Sequence, residues 1–78
     1  MSERDPMCDV LRDLRARAGL TQKQLAAELG IVSRTILRWE AGEQTPNLTD
    51  LRRLAAYFGV SVAELVGEAT YPGGQRTN

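Results

Sequence analysis

The stretch QKQLAAELGIVSRTILRWEAG, residues 22–42, decides the fold of this chain. Its apolar residues fall at helical spacing in two short runs that meet at Gly30. A capping-box pattern, Thr21 with Gln24 three residues later, marks the start of the first run. Gly30 ends that run, because glycine adopts the positive φ of a helix C-terminus without steric cost. The stretch therefore predicts two short helices joined by a tight turn.

Two helices that cross steeply over such a turn make particular demands on the sequence. A small residue is needed where the helices approach most closely, and Ala26 supplies it. Apolar residues at fixed offsets must hold the pair together. The residues predicted for this role are Leu25, Leu29, Ile31, Ile36 and Trp39. These features together predict a helix-turn-helix.

Start and stop signals outside this stretch predict three more helices. The cap residues are Asp5 with Pro6 for the first helix, Asn47 for the fourth, and Ser61 with Glu64 for the fifth. The apolar stripes are Met7, Leu11, Leu14 and Ala18; then Leu48, Leu51, Leu54, Ala55 and Phe58; then Val62, Leu65 and Val66. No segment alternates with the period of a strand. The predicted fold class is all-α, a compact five-helix bundle.

A chain of 78 residues has room for one domain. Residues 1–5 are predicted to form an N-terminal arm and residues 6–67 the helical domain. Residues 68–78 contain one proline and two glycines without apolar periodicity, so we expect a disordered C-terminal tail.

Composition excludes several classes of function. The chain has no histidine and one cysteine, Cys8, which rules out a His-based catalytic pair, a Cys/His metal site and an internal disulfide. It also lacks a phosphate-cradling glycine loop, so we expect no enzyme and no cofactor. No apolar run approaches the ~20 residues of a membrane span, and a reducing cytoplasm is the expected compartment.

Three pieces of the chain resemble one known family at the expected spacings. They are LRDLRARAGLTQKQLAAELG, TILRWEAGEQTP and LRRLAAYFGVSVAELV, within residues 9–66. The family is the phage Cro and repressor-type helix-turn-helix (XRE-like) domains, which are common in small bacterial and phage regulators. The resemblance implies a lambda-repressor-like five-helix fold that binds operator DNA, usually as a symmetric dimer, with the third helix in the major groove.

The resemblance also implies which residues contact the bases. Ser33, Arg34 and Arg38 match the base-reading positions, with Thr35 nearer the DNA backbone. A helical wheel agrees, since it places Arg34, Leu37 and Arg38 opposite a side formed by Val32, Ile36, Trp39 and Glu40. Arginine pairs well with guanine because its planar fork meets O6 and N7 at once. Leu37 either contacts a thymine methyl group or is an ordinary surface leucine.

Phosphate contacts are expected at the start of the second helix, where free N–H groups and the helix dipole favour an anion. The family uses the position of Gln22 for this purpose. Thr21, directly before it, is also a candidate phosphate contact, although its main role is to cap the helix. Lys23 and Asn47 are weaker candidates for the same role, with an ordinary solvated surface as the alternative.

Two charged residues are expected to join helices rather than bind DNA. In the family, the positions of Arg15 and Glu40 often form a partly buried ion pair between the first and third helices. The alternative is two unrelated surface charges. Trp39 is expected in the core rather than as a platform for base stacking.

Three features depart from the family pattern. Val32 occupies the usual Ser or Thr cap of the third helix, so either Ser33 caps one residue later or the first turn is poorly capped. The following loop carries Glu43 where a basic residue is common. The net charge is zero, which predicts weak non-specific affinity for DNA.

The sequence therefore predicts a DNA-binding transcriptional regulator, acting as a repressor-like homodimer on an inverted repeat. Apolar residues for the dimer must lie away from the arginines, and the candidates are Tyr57, Val62 and Val66. The alternative function is a protein-interaction or antitoxin-like adaptor that uses the same fold to bind a partner protein.

Overall fold

The computed structural model describes residues 5–69, which form five helices and no strand. The helices are α1 (Pro6–Arg17), α2 (Gln22–Leu29), α3 (Ser33–Ala41), α4 (Leu48–Phe58) and α5 (Val62–Leu65). The predicted all-α architecture with a central helix-turn-helix, α2 and α3, is confirmed. Most of the predicted arm and tail, residues 1–4 and 70–78, lies outside the described residues.

Side-chain caps begin four of the five helices, at the residues that the sequence indicated. Those caps are Asp5, Thr21, Asn47 and Ser61. Helix α3 is the exception, because its N-cap is Val32, which has no oxygen to accept a hydrogen bond. The cap is therefore not shifted to Ser33, and the first turn of α3 lacks side-chain capping.

Each helix ends in the same pair of backbone hydrogen bonds. At the end of α2, the amide of Gly30 donates to Ala27 at 3.3 Å and the amide of Ile31 donates to Ala26 at 2.9 Å. This Schellman motif requires a left-handed residue, and Gly30 has φ of 71°. The equivalent bonds at the other four helices are made at Gly19, Gly42, Gly59 and Gly67.

The core lies where α1, α2, α3 and the α4–α5 pair meet. Helix α2 packs on α3, α1 packs on α3 and contacts α5, and α4 packs on α5. The buried apolar side chains are Met7, Cys8, Val10, Leu11, Leu14, Leu25, Ala26, Leu29, Ile36, Trp39, Leu54, Ala55 and Leu65. This arrangement leaves the outer face of α3 without a covering helix.

Three apolar residues that the helical patterns placed inside are exposed. Ala18 lies beyond the last residue of α1 and only caps it. Val32 is 67% exposed because, as an N-cap in extended conformation, it does not follow the helical wheel of α3. Leu48 is 54% exposed because it is the first residue of α4, at the edge of the buried face.

The two ends of the described chain meet at a close contact between Gly67 and Pro6. A Cβ atom built on Gly67 would lie 2.6 Å from Cβ of Pro6, and Gly67 has φ of 85°. Beyond Gly67, the amides of Glu68 and Ala69 donate to the carbonyl of Ala63 at 2.8 and 3.2 Å. The chain is therefore still bonded to α5 two residues into the predicted tail.

We expect Gly67→Ala to destabilise the fold more than Gly59→Ala, which is the matched control. Both variants place a side chain at positive φ, which costs roughly 1–2 kcal/mol. Only the Cβ at residue 67 meets a neighbour within 4 Å, and the overpacking against Pro6 adds at least ~1 kcal/mol. Urea denaturation of both variants measures the difference. Equal free energies of unfolding would show that the contact between Pro6 and Gly67 relaxes without cost.

Candidate nucleic-acid interface

The outer face of α3 presents two arginines and a leucine. Arg34, Leu37 and Arg38 are exposed, with Leu37 50% exposed, whereas Ile36 and Trp39 are buried on the opposite side. Arg34 and Arg38 are four residues apart and therefore lie one above the other on the same face. The helix offers this face as a row of long hydrogen-bond donors.

The flanks of that face carry the two smaller candidates. Ser33 begins α3 and Thr35 lies two residues further on, and both side chains are half-buried. The structure therefore places all four predicted base-reading residues on one accessible side of α3, with Ser33 toward one edge. Thr35 lies on the other edge.

The basic side chains divide into two groups according to whether another described residue pairs with them. Four arginines form ion pairs within the domain, which are Arg12–Asp9, Arg15–Glu40, Arg17–Asp13 and Arg53–Asp50. No hydrogen bond or ion pair joins the side chain of Lys23, Arg34, Arg38 or Arg52 to another residue within 5–69. Three of these four cations lie on α2 and α3. Within residues 5–69, the unpaired positive charge is therefore concentrated on the helix-turn-helix.

Glu40 joins three parts of the fold from the buried side of α3. Its carboxylate accepts hydrogen bonds from Nε and Nη2 of Arg15, at 2.6 and 3.0 Å, and from Nε2 of Gln22 at 3.0 Å. Its main-chain carbonyl accepts from Nη2 of Arg12 at 3.1 Å. Arg15 also donates through Nη1 to the carbonyl of Leu20 at 2.9 Å. We call these residues (Arg12, Arg15, Leu20, Gln22 and Glu40) the Glu40 network.

Burial makes the network costly to leave incomplete. The side chain of Glu40 is 3% exposed and that of Arg15 is 17% exposed. A charge at such a position has lost most of its hydration and depends on its partners for compensation. The hydrogen bonds to Glu40 raise the pKa of Arg15, although burial acts in the opposite direction. The guanidinium therefore stays charged and holds α1 against α3.

The start of α2 carries the predicted phosphate-binding residues. Thr21 accepts the amide of Gln24 through Oγ1 at 3.0 Å, and Gln24 accepts the amide of Thr21 at 2.8 Å, which completes the capping box. Gln22 uses one amide proton for Glu40 and retains a second, while Lys23 is exposed and unpaired among the described residues. The sequence pattern did not indicate the bond between Gln22 and Glu40, because it joins residues 18 positions apart.

Asn47 stands at the start of α4, at the end of the loop that follows α3. Its Oδ1 accepts the amide of Asp50 at 2.8 Å, so the side chain caps the helix and its Nδ2 group remains available. The fourth helix therefore offers a second N-terminus of the kind that α2 offers.

The predicted dimer residues lie on α4 and α5, separate from the exposed face of α3. Tyr57 is 40% exposed, and its ring meets that of Phe58 edge-to-face with centroids 5.1 Å apart. Val62 and Val66 are half-buried because they pack against the core, which leaves each with a reduced outer surface.

Trp39 lies in the core at 2% exposure, as predicted, and its ring N–H has no partner among the described residues.

Within residues 5–69, no group of histidine, cysteine or acidic side chains is arranged to hold a metal ion. In the same part of the chain, no helix is long and apolar enough to cross a bilayer.

With this geometry established, comparison with known proteins identifies the family. The family model described as helix-turn-helix matches residues 11–65, which span the segment from α1 to α5. This chain belongs to the Cro/repressor-type helix-turn-helix family.

Curated relatives of this helix-turn-helix domain carry the names of transcription regulators. It is 39% identical to the cryptic phage CTXphi transcriptional repressor RstR of Vibrio cholerae over 59 residues, 76% of this chain and 53% of that protein. It is 38% identical to the transcriptional activator BcrR of Enterococcus faecalis, over 72% of this chain and 28% of that protein. The domain therefore spans about half or less of these relatives. A regulator from Methanocaldococcus jannaschii is 36% identical and is covered over 89% of its length.

Solved structures share the fold of this helix-turn-helix domain. The LexA repressor of Eubacterium rectale superposes with a TM-score of 0.75 at 21% identity, over 92% of this chain and 77% of that one, which establishes the fold alone. A substrate complex of iron(II) HppE superposes with a TM-score of 0.73 at 30% identity, over 83% of this chain and 34% of that protein. The likeness to HppE therefore concerns one part of a larger protein.

We expect Glu40→Ala to destabilise the domain far more than Glu43→Ala, which removes an exposed carboxylate in the following loop. Loss of Glu40 leaves Arg15 semi-buried without its counter-charge, which costs about 3 kcal/mol. Thermal unfolding followed by circular dichroism compares the two variants. Similar melting temperatures would mean that water replaces Glu40 as the partner of Arg15.

Proposed function

We propose that this chain is a sequence-specific double-stranded DNA-binding transcriptional regulator, acting as a repressor-like homodimer on an inverted repeat. The observation that carries the proposal is the row formed by Arg34 and Arg38, exposed on α3 and unpaired among the described residues. Intramolecular partners occupy four other arginines, so these two donors stand out as available. The name of the relative RstR supports repression as the direction of control.

Base recognition is assigned to the exposed face of α3 in the major groove. The groove is about 12 Å wide and admits one helix, and guanine presents there the two acceptors that arginine matches. Arg34 and Arg38 read guanine, and Ser33 adds a short donor at the start of the helix. Leu37 supplies an apolar contact for a thymine methyl group, since no other chemistry in the groove favours a half-exposed leucine.

Phosphate recognition is assigned to residues around that helix. Thr21, Gln22 and Lys23 offer hydroxyl, amide and ammonium donors at the N-terminus of α2, where the helix dipole also favours an anion. Thr35 and Asn47 contribute from the flank of α3 and the start of α4. Because the bond to Glu40 fixes Gln22, this set grips the DNA backbone at a fixed distance from α3.

A dimer is proposed because one domain presents too few base contacts to select a single genomic site. Two copies related by a two-fold axis double those contacts and place their recognition helices roughly 34 Å apart. Tyr57, Val62 and Val66 form the contact between the copies. Since both valines also pack on the core, the apolar surface left for the partner is small and the association is weak without DNA.

Catalysis is not part of this proposal, because no described cluster of side chains offers an acid, a base and a nucleophile.

The competing proposal is an adaptor that binds a partner protein, and the acidic Glu43 beside α3 favours it. A mobility-shift assay on an operator duplex at moderate salt separates the two, because an adaptor forms no saturable complex with DNA.

We expect Arg34→Ala and Arg38→Ala each to weaken specific binding by ~1–3 kcal/mol and to relax the preference at one base position per half-site. Lys23→Ala is the control, because loss of a phosphate contact weakens binding to all sequences alike. Selection from a random duplex pool, followed by titration on the selected and a scrambled site, gives both quantities. If an arginine variant behaves like Lys23→Ala, the arginine that it replaces contacts phosphate rather than a base.

We expect the free protein to be a weak, concentration-dependent dimer that an inverted-repeat duplex stabilises. Tyr57→Phe keeps the ring contact with Phe58 and Tyr57→Ala removes it together with exposed apolar surface, so only Tyr57→Ala should shift the free protein toward monomer. Analytical ultracentrifugation across a concentration series, with and without the duplex, measures both effects. A monomer that binds one-to-one to a site without symmetry would contradict the dimer.

A further inference from the structure

A polar contact from α4 reaches the turn of the helix-turn-helix. The guanidinium of Arg53 donates through Nη2 to the main-chain carbonyl of Leu29. Leu29 is the last residue of α2 and directly precedes Gly30, where the chain reverses. The last carbonyls of a helix have no partner within it. A side chain from another helix therefore satisfies a backbone atom at the turn.

Arg53 is held in place by residues of its own helix. Nη1 of Arg53 lies 3.8 Å from Oδ1 of Asp50, whose side chain is 27% exposed. The amide of Asp50 in turn donates to Oδ1 of Asn47 at 2.8 Å. A continuous series of contacts thus runs from the N-terminus of α4, through Asp50 and Arg53, to the carbonyl of Leu29.

Apart from the two Schellman hydrogen bonds at Gly30 and Ile31, the turn and the start of α3 have few polar restraints. The side chain of Val32 makes no capping hydrogen bond, so the first turn of α3 lacks the side-chain contact that the other four helices have. The Glu40 network contacts α3 at Glu40, near the far end of the helix. The two ends of α3 therefore depend on different contacts, and Arg53 acts at the end that bears Ser33 and Arg34.

We propose that Arg53 is a positioning residue that fixes the turn of the helix-turn-helix, and with it the N-terminal end of α3, against α4. The inference rests on the proposed function, because base readout is the property that this contact sharpens. With the contact in place, Ser33 and Arg34 meet the DNA at one fixed depth and angle. Arg38 lies on the C-terminal half of α3, which the Glu40 network holds against α1, and keeps its position without Arg53.

The test compares base preferences of matched variants selected from a random duplex pool. Arg53→Met removes every donor and keeps most of the apolar stem, while Arg53→Lys retains a donor. Arg52→Met is the control, because Arg52 is the neighbouring exposed arginine and has no partner within residues 5–69. The profiles of Arg34→Ala and Arg38→Ala identify which base position belongs to which arginine.

We expect Arg53→Met to lower the preference at the position read by Arg34 on the order of fivefold, and to leave the position read by Arg38 unchanged. Arg53→Lys should restore part of the lost preference, and Arg52→Met should keep the wild-type profile. Asp50→Asn, which weakens the hold on Arg53 without removing it, should shift the same position to a smaller extent. This variant keeps the test decisive if Arg53→Met fails to fold.

Three results would overturn the inference. An unchanged Arg53→Met profile with a lowered melting temperature would show that the contact only stabilises the fold. An equal loss of preference at both base positions would show that Arg53 does not act on the N-terminal end of α3 alone. A uniform loss of affinity on all sequences would make Arg53 a phosphate contact. A wild-type protein that selects no sequence would overturn the proposed function as well. If the wild type does select a sequence, any of the three results above overturns only the role of Arg53.

Discussion

The position of the exposed face of α3 depends on one buried carboxylate. Glu40 accepts hydrogen bonds from Arg15 and Gln22, and Arg12 donates to its main-chain carbonyl. Such a group is stable in an apolar interior only if all its partners are in place together, so α1, α2 and α3 are fixed in a single geometry. The same contact that excludes alternative packings also orients Gln22, which belongs to the proposed phosphate-binding set. In the proposed function, the same atoms therefore control both the stability of the domain and the spacing between its phosphate contacts and its base contacts.

The distribution of charge matters more here than its sum. Ion pairs within the domain neutralise half of the basic side chains of residues 5–69, and those left over are concentrated on the helix-turn-helix. In the proposed function, few phosphates are neutralised per domain, so we expect weak general attraction to DNA and a large relative weight of base contacts. Discrimination between sequences would then come chiefly from contacts with base edges. A more basic relative would gain affinity on every sequence and lose part of this contrast.

Local signals made most of the fold predictable. Cap residues such as Thr21 and Asn47, and the glycines that end each helix, act within four residues of their own position, so a single sequence reveals them. The helical wheel failed at Val32 because an extended cap residue does not follow the helical period. Contacts over long separations, such as Gln22 with Glu40 and Arg53 with Leu29, left no signal in the pattern. The pairing of Arg15 with Glu40 was expected only from the family resemblance, since neither residue alone reveals its partner.

The short helices, each ended by a Schellman motif, have a consequence for how proteases degrade the protein. The helices have 4–12 residues, and isolated helices shorter than about 12–15 residues are marginal in water. No helix within residues 5–69, α3 included, is long enough to keep its shape once the domain opens, so we expect all-or-none unfolding that exposes the described backbone at once. Turnover by proteases then follows the unfolded fraction directly. A modest loss of stability therefore raises the fraction of the domain that is open to cleavage along its described length.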